Sequence, residues 1–191
     1  DFIPNKDIEA QLPFRFNWAA PFHVGKSKSL YLAGNHVFKS IDEGESWTII
    51  STDLSTNDPE KNKKGLSGGI TPDNSGAETH CTTSTMAISK LNEDLIWVGT
   101  DDGQVHLTKN GGKTWDSIRK NIEGVPDNLW VSRIEASSHK SGRAYITFDG
   151  HRSDHFKPYV FVTENFGKSW KSLSESLPKN EVIRVIREDL I

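Results

Sequence analysis

The chain is poor in the residues that cross-link or anchor a protein. It has one cysteine, Cys81, so no disulfide can close within it. No CxxC or HExxH pattern surrounds Cys81, so with His80 beside it the pair makes no zinc motif. It reads as a small buried residue at the start of a strand. No apolar run approaches the roughly 18 residues that a membrane span requires. The formal net charge is only −3, which gives no general attraction to nucleic acid or to an anionic membrane. The first residues, DFIPNKDIEAQLPF, lack the basic-then-apolar pattern of a signal peptide.

What the sequence does have is a repeat. SIDEGESW begins at Ser40, TKNGGKTW at Thr108 and TENFGKSW at Thr163. The shared pattern is hydroxyl, any, Asp or Asn, any, Gly, any, hydroxyl, Trp. Such recurrence marks one supersecondary unit used several times. Alternating apolar and polar runs flank each octet (HVFKSI and SWTIIS, QVHLTK, YVFVTE), the pattern of half-buried strands. The octet is therefore a hairpin connection. Asp42, Asn110 and Asn165 accept backbone hydrogen bonds. Gly44, Gly112 and Gly167 suit a positive φ. Ser40, Thr108 and Thr163 open the turn, and Ser46, Thr114 and Ser169 bond locally within it. Trp47, Trp115 and Trp170 restart the strand and bury a large apolar face.

Reading backwards from each octet gives two more strands per unit. SLYLAG, LIWVGT and RAYITF form a second strand, and NWAAPFHV, STMAISK and VSRIEASS a first. Four short antiparallel strands per repeat describe the blade of a β-propeller. The fold expected is all-β: a partial propeller of three four-stranded blades plus the first strand of a fourth. The blades fall at 14–52, 81–120 and 129–175, with an insertion at 149–159. The next blade starts at 181–191. Propellers close with about four to eight blades, so these units leave the ring open and imply further blades in a larger parent.

The three octets resemble the Asp-box, or bacterial neuraminidase repeat, with Asn at two of the three Asp positions. The resemblance covers nearly the whole chain, and stretches such as IWVGTDDGQVHLTKNGGKTW carry it further. It is closest to large bacterial exo-proteins with a sortilin-type N-terminal domain, which are often labelled glycosyl hydrolase. It implies a secreted or cell-envelope protein whose octets lie at the blade periphery and report architecture, not chemistry. Its implied partners are a protein or glycan ligand and the remaining blades of the parent, with no cofactor and no metal.

Two segments exceed what a propeller connection needs. Residues 53–80 link the first two blades and are rich in Gly, Pro, Asn, Asp and Lys. They read as a disordered or solvated excursion, with a binding role as the alternative. In 149–159, His151 and His155 would share one face if helical and could hold a metal with Asp149 or Asp154. Nothing marks the stretch as helical, and a polar loop is the plainer reading.

The candidate site lies where first strands line the propeller axis. Aligning the units on Tyr31, Trp97 and Tyr145 puts Ala19, Thr85 and Arg133 in one register, and counting on adds Arg184. Arg133 and Arg184 would form a clamp for a carboxylate, with an Arg–Glu network through Glu135 and Arg187 as the structural alternative. Trp18 and Trp130 stand at the starts of first strands and could stack on a sugar or a peptide side chain, with packing between blades as the equal alternative. A glycosidase would need two carboxylates across the scissile bond, or by the sialidase resemblance a tyrosine with an acid. Tyr31 and Tyr145 sit at core positions, and no such pair stands out. A recognition or scaffold sector is the primary reading, and a sector of a glycoside hydrolase with its active site at the channel is the alternative.

Overall fold

The computed structural model describes residues 14–62, 79–189 and 191. They form three four-stranded antiparallel meanders. The first holds β1 (Phe22–Val24), β2 (Leu30–Ala33), β3 (Val37–Ser40) and β4 (Thr48–Ile49). The second holds β5 (Thr83–Ile88), β6 (Ile96–Thr100), β7 (Val105–Thr108) and β8 (Asp116–Ser117). The third holds β9 (Trp130–Ala136), β10 (Ala144–Asp149), β11 (Tyr159–Thr163) and β12 (Lys171–Ser172). The result is an unclosed, partial propeller, as the repeat predicts.

Each octet joins the third and fourth strands of its sheet, and the three share one hydrogen-bond plan. The first hydroxyl caps the glycine N–H: Gly44 N to Ser40 Oγ at 2.9 Å, Gly112 N to Thr108 Oγ1 and Gly167 N to Thr163 Oγ1 at 3.0 Å. The Asp or Asn oxygen accepts the N–H of Ser46, Thr114 or Ser169. Asn replaces Asp by reversing one bond. Asp42 accepts from the Ser46 hydroxyl, whereas the amides of Asn110 and Asn165 donate to Thr114 and Ser169. These bonds, from Ser46 first, hold the exposed Asp42 carboxyl down at about 2. The backbone is left-handed at the glycine and also at the residue before it, Glu43, Gly111 or Phe166.

Two cores lie between neighbouring sheets. Tyr31, Val37, Met86, Ile96 and Val98 fill the first. Trp97, Val105, Leu107, Ile134, Ile146 and Phe161 are among those that fill the second. The octet is part of this packing. Trp115 packs on the first core and donates Nε1–H to Ile50 O at 2.8 Å. Trp170 packs on the second, edge-on to Trp97 at 6.2 Å. The octet tryptophan of one blade therefore closes the seam with the blade before it.

Residues 63–78 of the predicted long excursion lie outside the described residues. The start of that segment is not a solvated strand of loop. Leu54 is buried, Asp53 pairs with Arg15 at 2.6 Å, and Thr56 bonds Asp102 through both its N–H and hydroxyl. One apolar residue among polar ones suffices here because the polar ones find buried partners. In the 149–159 insertion, His151–Ser153 is a single 3-10 turn, ended by a left-handed Asp154. His151 and His155 therefore do not share a helix face. His151 Nδ1 meets Asp149 at 2.7 Å, while His155 stacks on Tyr159. Residues 182–189 lie beside β9, where Ser132 Oγ donates to Ile183 O, and join no sheet.

Candidate functional site

The first strands β1, β5 and β9, with residues 182–189, form one wall. Register places side chains along it. His23 pairs with Tyr31, Ala87 with Trp97 and Glu135 with Tyr145, so these three first-strand residues are equivalent. Thr85 and Arg133 are also equivalent, opposite Gly99 and Thr147. The first blade departs from the register expected from sequence. Ala33 N bonds Pro21 O, so Pro21 and not Ala19 stands at that level. The connection in the first blade is two residues shorter than its neighbours.

Arg184 also falls elsewhere. Ser84 Oγ donates to Val131 O at 2.7 Å, and Ser132 Oγ donates to Ile183 O at 3.0 Å. Ile183 thus takes the place of Val131, Arg184 that of Ser132, and Val185 that of Arg133. A one-residue difference in a strand turns the side chain to the other face. Arg187 is the residue that takes the level of Glu135.

Between the second and third first strands lies a groove of about 320 Å³, lined at its polar positions by His23, Lys90, Arg133, Glu135, Arg187 and Glu188. One oxygen of Glu135 takes both Arg133 Nη2, at 3.4 Å, and Arg187 Nη1, at 3.2 Å. The Nε–H of Arg133 is buried without an acceptor. Burial, and then the charge of Arg133, lowers the His23 pKa. Burial would raise the Glu188 carboxyl, but bonds from Ser137, Ser138 N–H and Tyr145 outweigh it and the net shift is downward. The groove thus holds more cationic donors than free acceptors.

The other predicted residues gather elsewhere. Trp130 opens β9 opposite Asp149, and the Arg152 guanidinium lies 3.8 Å from its ring centroid. Such cation–π stacking occupies that face of the indole. Asp149, nearly buried, takes Arg184 Nε at 3.2 Å. Trp130 and Arg184 therefore belong to one Asp149-centred cluster, Arg133 lies in the groove, and Trp18 is 76% exposed in the turn before β1. His23 and Lys90 were missed because neither recurs between repeats. An offset of 100 residues, Thr83 to Ile183, would have found Arg187 at the correct level.

A third polar cluster, unseen in the sequence, is fully buried at the β6–β7 turn. Asp101 accepts from the N–H and hydroxyl of Thr82, both at 2.9 Å, with His80 Nδ1 at 3.6 Å. That last distance is too long for a hydrogen bond. Asp102 accepts from Thr56 and Thr100. Burial raises the Asp101 carboxyl to about 7 and lowers His80 to about 4. Burial also pushes the Cys81 thiol up to about 12. A thiol so placed is not a nucleophile. Cys81 should resist iodoacetamide at pH 8 in the folded protein and label fully in denaturant. Rapid labelling of the native chain would contradict this burial. Among the described residues no group of three or more His, Cys, Asp or Glu side chains could hold a metal ion, and no helix is long and apolar enough to cross a membrane.

No family model matches the chain. An uncharacterized membrane glycoprotein of Saccharomyces cerevisiae, YNR066C, is 26% identical over 94 residues, which is 49% of this chain and 17% of that protein. Among solved structures, an ancestral GH74 enzyme superposes with a TM-score of 0.56 at 18% identity, over 89% of this chain and 20% of the enzyme. YCF48 from Cyanidioschyzon merolae superposes with a TM-score of 0.51 at 20% identity, over 85% of this chain and 41% of that protein. The chain thus spans less than half the length of each of these proteins. At such identities the likeness establishes the fold alone, an all-β, unclosed propeller arrangement.

Proposed function

We propose that the chain is a recognition sector of a propeller, from a larger secreted or cell-envelope bacterial protein, and that it binds a protein or glycan ligand in the inner-strand groove. The position of each octet, between third and fourth strands, supports the Asp-box reading and with it the sortilin-type relationship. The observation that carries the binding reading is the imbalance of donors. Arg133 and Arg187 share one Glu135 oxygen, and Arg133 keeps a buried N–H without an acceptor. A carboxylate of a peptide or sugar acid would supply the missing acceptors, because guanidinium groups bind carboxylates in pairs of bonds. In this reading Arg133 and Arg187 hold the ligand. Trp18 supplies an exposed aromatic face, and Trp130 and Arg184 form a second contact around Asp149.

A glycoside hydrolase sector is the second reading, supported by the likeness to the GH74 enzyme. The groove carboxylates weigh against it. A general acid needs a raised pKa. Glu188 is shifted down, and Glu135 is committed to two arginines.

The test is binding to acidic peptides and to neutral and acidic glycans, alongside hydrolysis of fluorogenic glycosides. Arg187→Ala, at a side chain 53% exposed, should leave melting unchanged and weaken an acidic ligand about 10- to 100-fold, the range for one charge-assisted contact. A ligand whose affinity ignores both Arg187→Ala and Arg133→Gln would overturn the groove assignment. Hydrolysis by the native chain that Glu135→Gln abolishes would establish the enzyme reading instead.

A further inference from the structure

The second octet contains a reactive dipeptide. Asn110–Gly111 is the only Asn-Gly pair in the sequence. An asparagine so placed can lose its amide without an enzyme. The backbone nitrogen of the next residue attacks Cγ and closes a cyclic succinimide, and ammonia leaves. Water then opens the ring at either of its carbonyls. Opening on one side gives aspartate. Opening on the other gives isoaspartate, whose main chain runs through the former side chain and is one methylene longer. The residue that follows the asparagine sets the rate, because a side chain on it crowds the ring and glycine has none.

Hydrogen bonds hold this reaction back in the folded chain. Gly111 N, the attacking atom, donates to Asp94 O at 2.9 Å. Asn110 Oδ1 accepts from Thr114 N at 3.0 Å, and Asn110 Nδ2, the leaving group, donates to Thr114 Oγ1 at 2.8 Å. Asn165 is held in the same way. Phe166 N donates to Gly142 O, Ser169 N to Asn165 Oδ1, and Asn165 Nδ2 to Ser169 Oγ. The two turns differ in the attacking residue, glycine at 111 and phenylalanine at 166, both with left-handed backbone.

The two products fit the turn differently. Aspartate is the residue of the first octet, where Asp42 accepts from the N–H and the hydroxyl of Ser46. The Thr114 hydroxyl can rotate to donate in the same manner. Isoaspartate instead lengthens the main chain two residues before Gly112. That glycine has no room to shift toward the first sheet. A Cβ on it would lie 2.5 Å from Ile50 O, the oxygen that accepts Trp115 Nε1–H.

We propose that Asn110 is a site of spontaneous deamidation gated by its octet. It reacts when the turn opens, and the isoaspartate product unfastens the seam between the first and second sheets. Asn165, before a phenylalanine, is spared.

The test is to age the whole chain at pH 8, folded and in urea, and to map the converted peptides by mass. Conversion at Asn110 should be roughly 10- to 1,000-fold slower in the folded chain, the range for about three hydrogen bonds that open first. Asn165 should lag behind Asn110 in both states. Thr114→Val removes the acceptor of the leaving amide. It should speed the folded reaction roughly 2- to 10-fold, the range for one bond, and leave the rate in urea unchanged. Asn110→Asp should melt with the native chain, whereas aged chain that an isoaspartyl methyltransferase labels should melt lower. Equal rates at Asn110 in the folded and unfolded chain would overturn the gate. An Asn110 that stays intact in urea, or converts no faster there than Asn165, would overturn the site. Isoaspartate-bearing chain that melts with the native one would overturn the effect on the seam.

Discussion

Gly112→Ala lowers the melting temperature far more than the same change at Gly44, although both occupy one position of one motif. Both glycines have φ above +90°. An alanine there costs about 1–2 kcal/mol from backbone strain alone. At Gly44 little is added, because the nearest atom to a new Cβ is Leu30 Cδ1 at 3.7 Å, an ordinary contact. At Gly112 the new atom meets a backbone oxygen, Ile50 O at 2.5 Å, that cannot swing aside. Overpacking of this kind adds about 1–3 kcal/mol. The expected losses are roughly 2–8 °C for Gly44→Ala and 4–20 °C for Gly112→Ala, at about 2–4 °C per kcal/mol for a chain of this size. Gly167→Ala falls between them, because the atom it meets, Ile118 Cδ1, ends a flexible side chain. Equal losses at the three sites in a thermal melt would show that the octets do not close the seams between blades.

The second large effect is a pH dependence that appears only when one of two neighbours is removed. Asp101 titrates near 7 in the folded chain and His80 near 4, each displaced first by burial. Asp102 faces both, and Asp58 and Lys61 also act on His80. A carboxyl with a raised folded pKa gives stability that is present below its unfolded value and is lost as pH rises toward 7. A histidine with a lowered folded pKa gives stability that is present above its unfolded value and is lost as pH falls toward 4. Between about pH 4 and 6.5 the two opposing slopes cancel. The native chain carries the proton on Asp101, and the unfolded chain carries it on His80. In Asp101→Asn only the histidine term remains, so stability should fall on acidification from pH 6.5 to 4. In His80→Gln only the carboxyl term remains, so stability should fall on going from pH 4 to 7. Each slope integrates to a change on the order of 3 kcal/mol. Urea melts of both variants across this range are the measurement. Two variants with parallel pH profiles would mean that Asp101 and His80 do not exchange one proton.

Three octets, with alternating runs on either side, already specify blades, because a turn that needs left-handed glycine and a half-buried tryptophan has few other uses. That reasoning reached all three sheets. It did not reach the side-chain pairings. Strand register depends on connection lengths, and a difference of two residues in the first blade moved Ala19 out of line. One residue in the fourth segment turned Arg184 toward Asp149 and left Arg187 facing Glu135. The Asp101–Asp102–His80 cluster was invisible for a related reason. Its partners Thr56 and Thr82 come from the two ends of a long connection, and burial, which sets both pKa values, belongs to no single stretch of chain. Local turn chemistry and strand period are properties of neighbours in sequence, so the sequence by itself determined the repeat, the blade and the all-β class. Which cations share an acceptor and which acid is dry depend on how separate blades meet, and only the tertiary structure decided them.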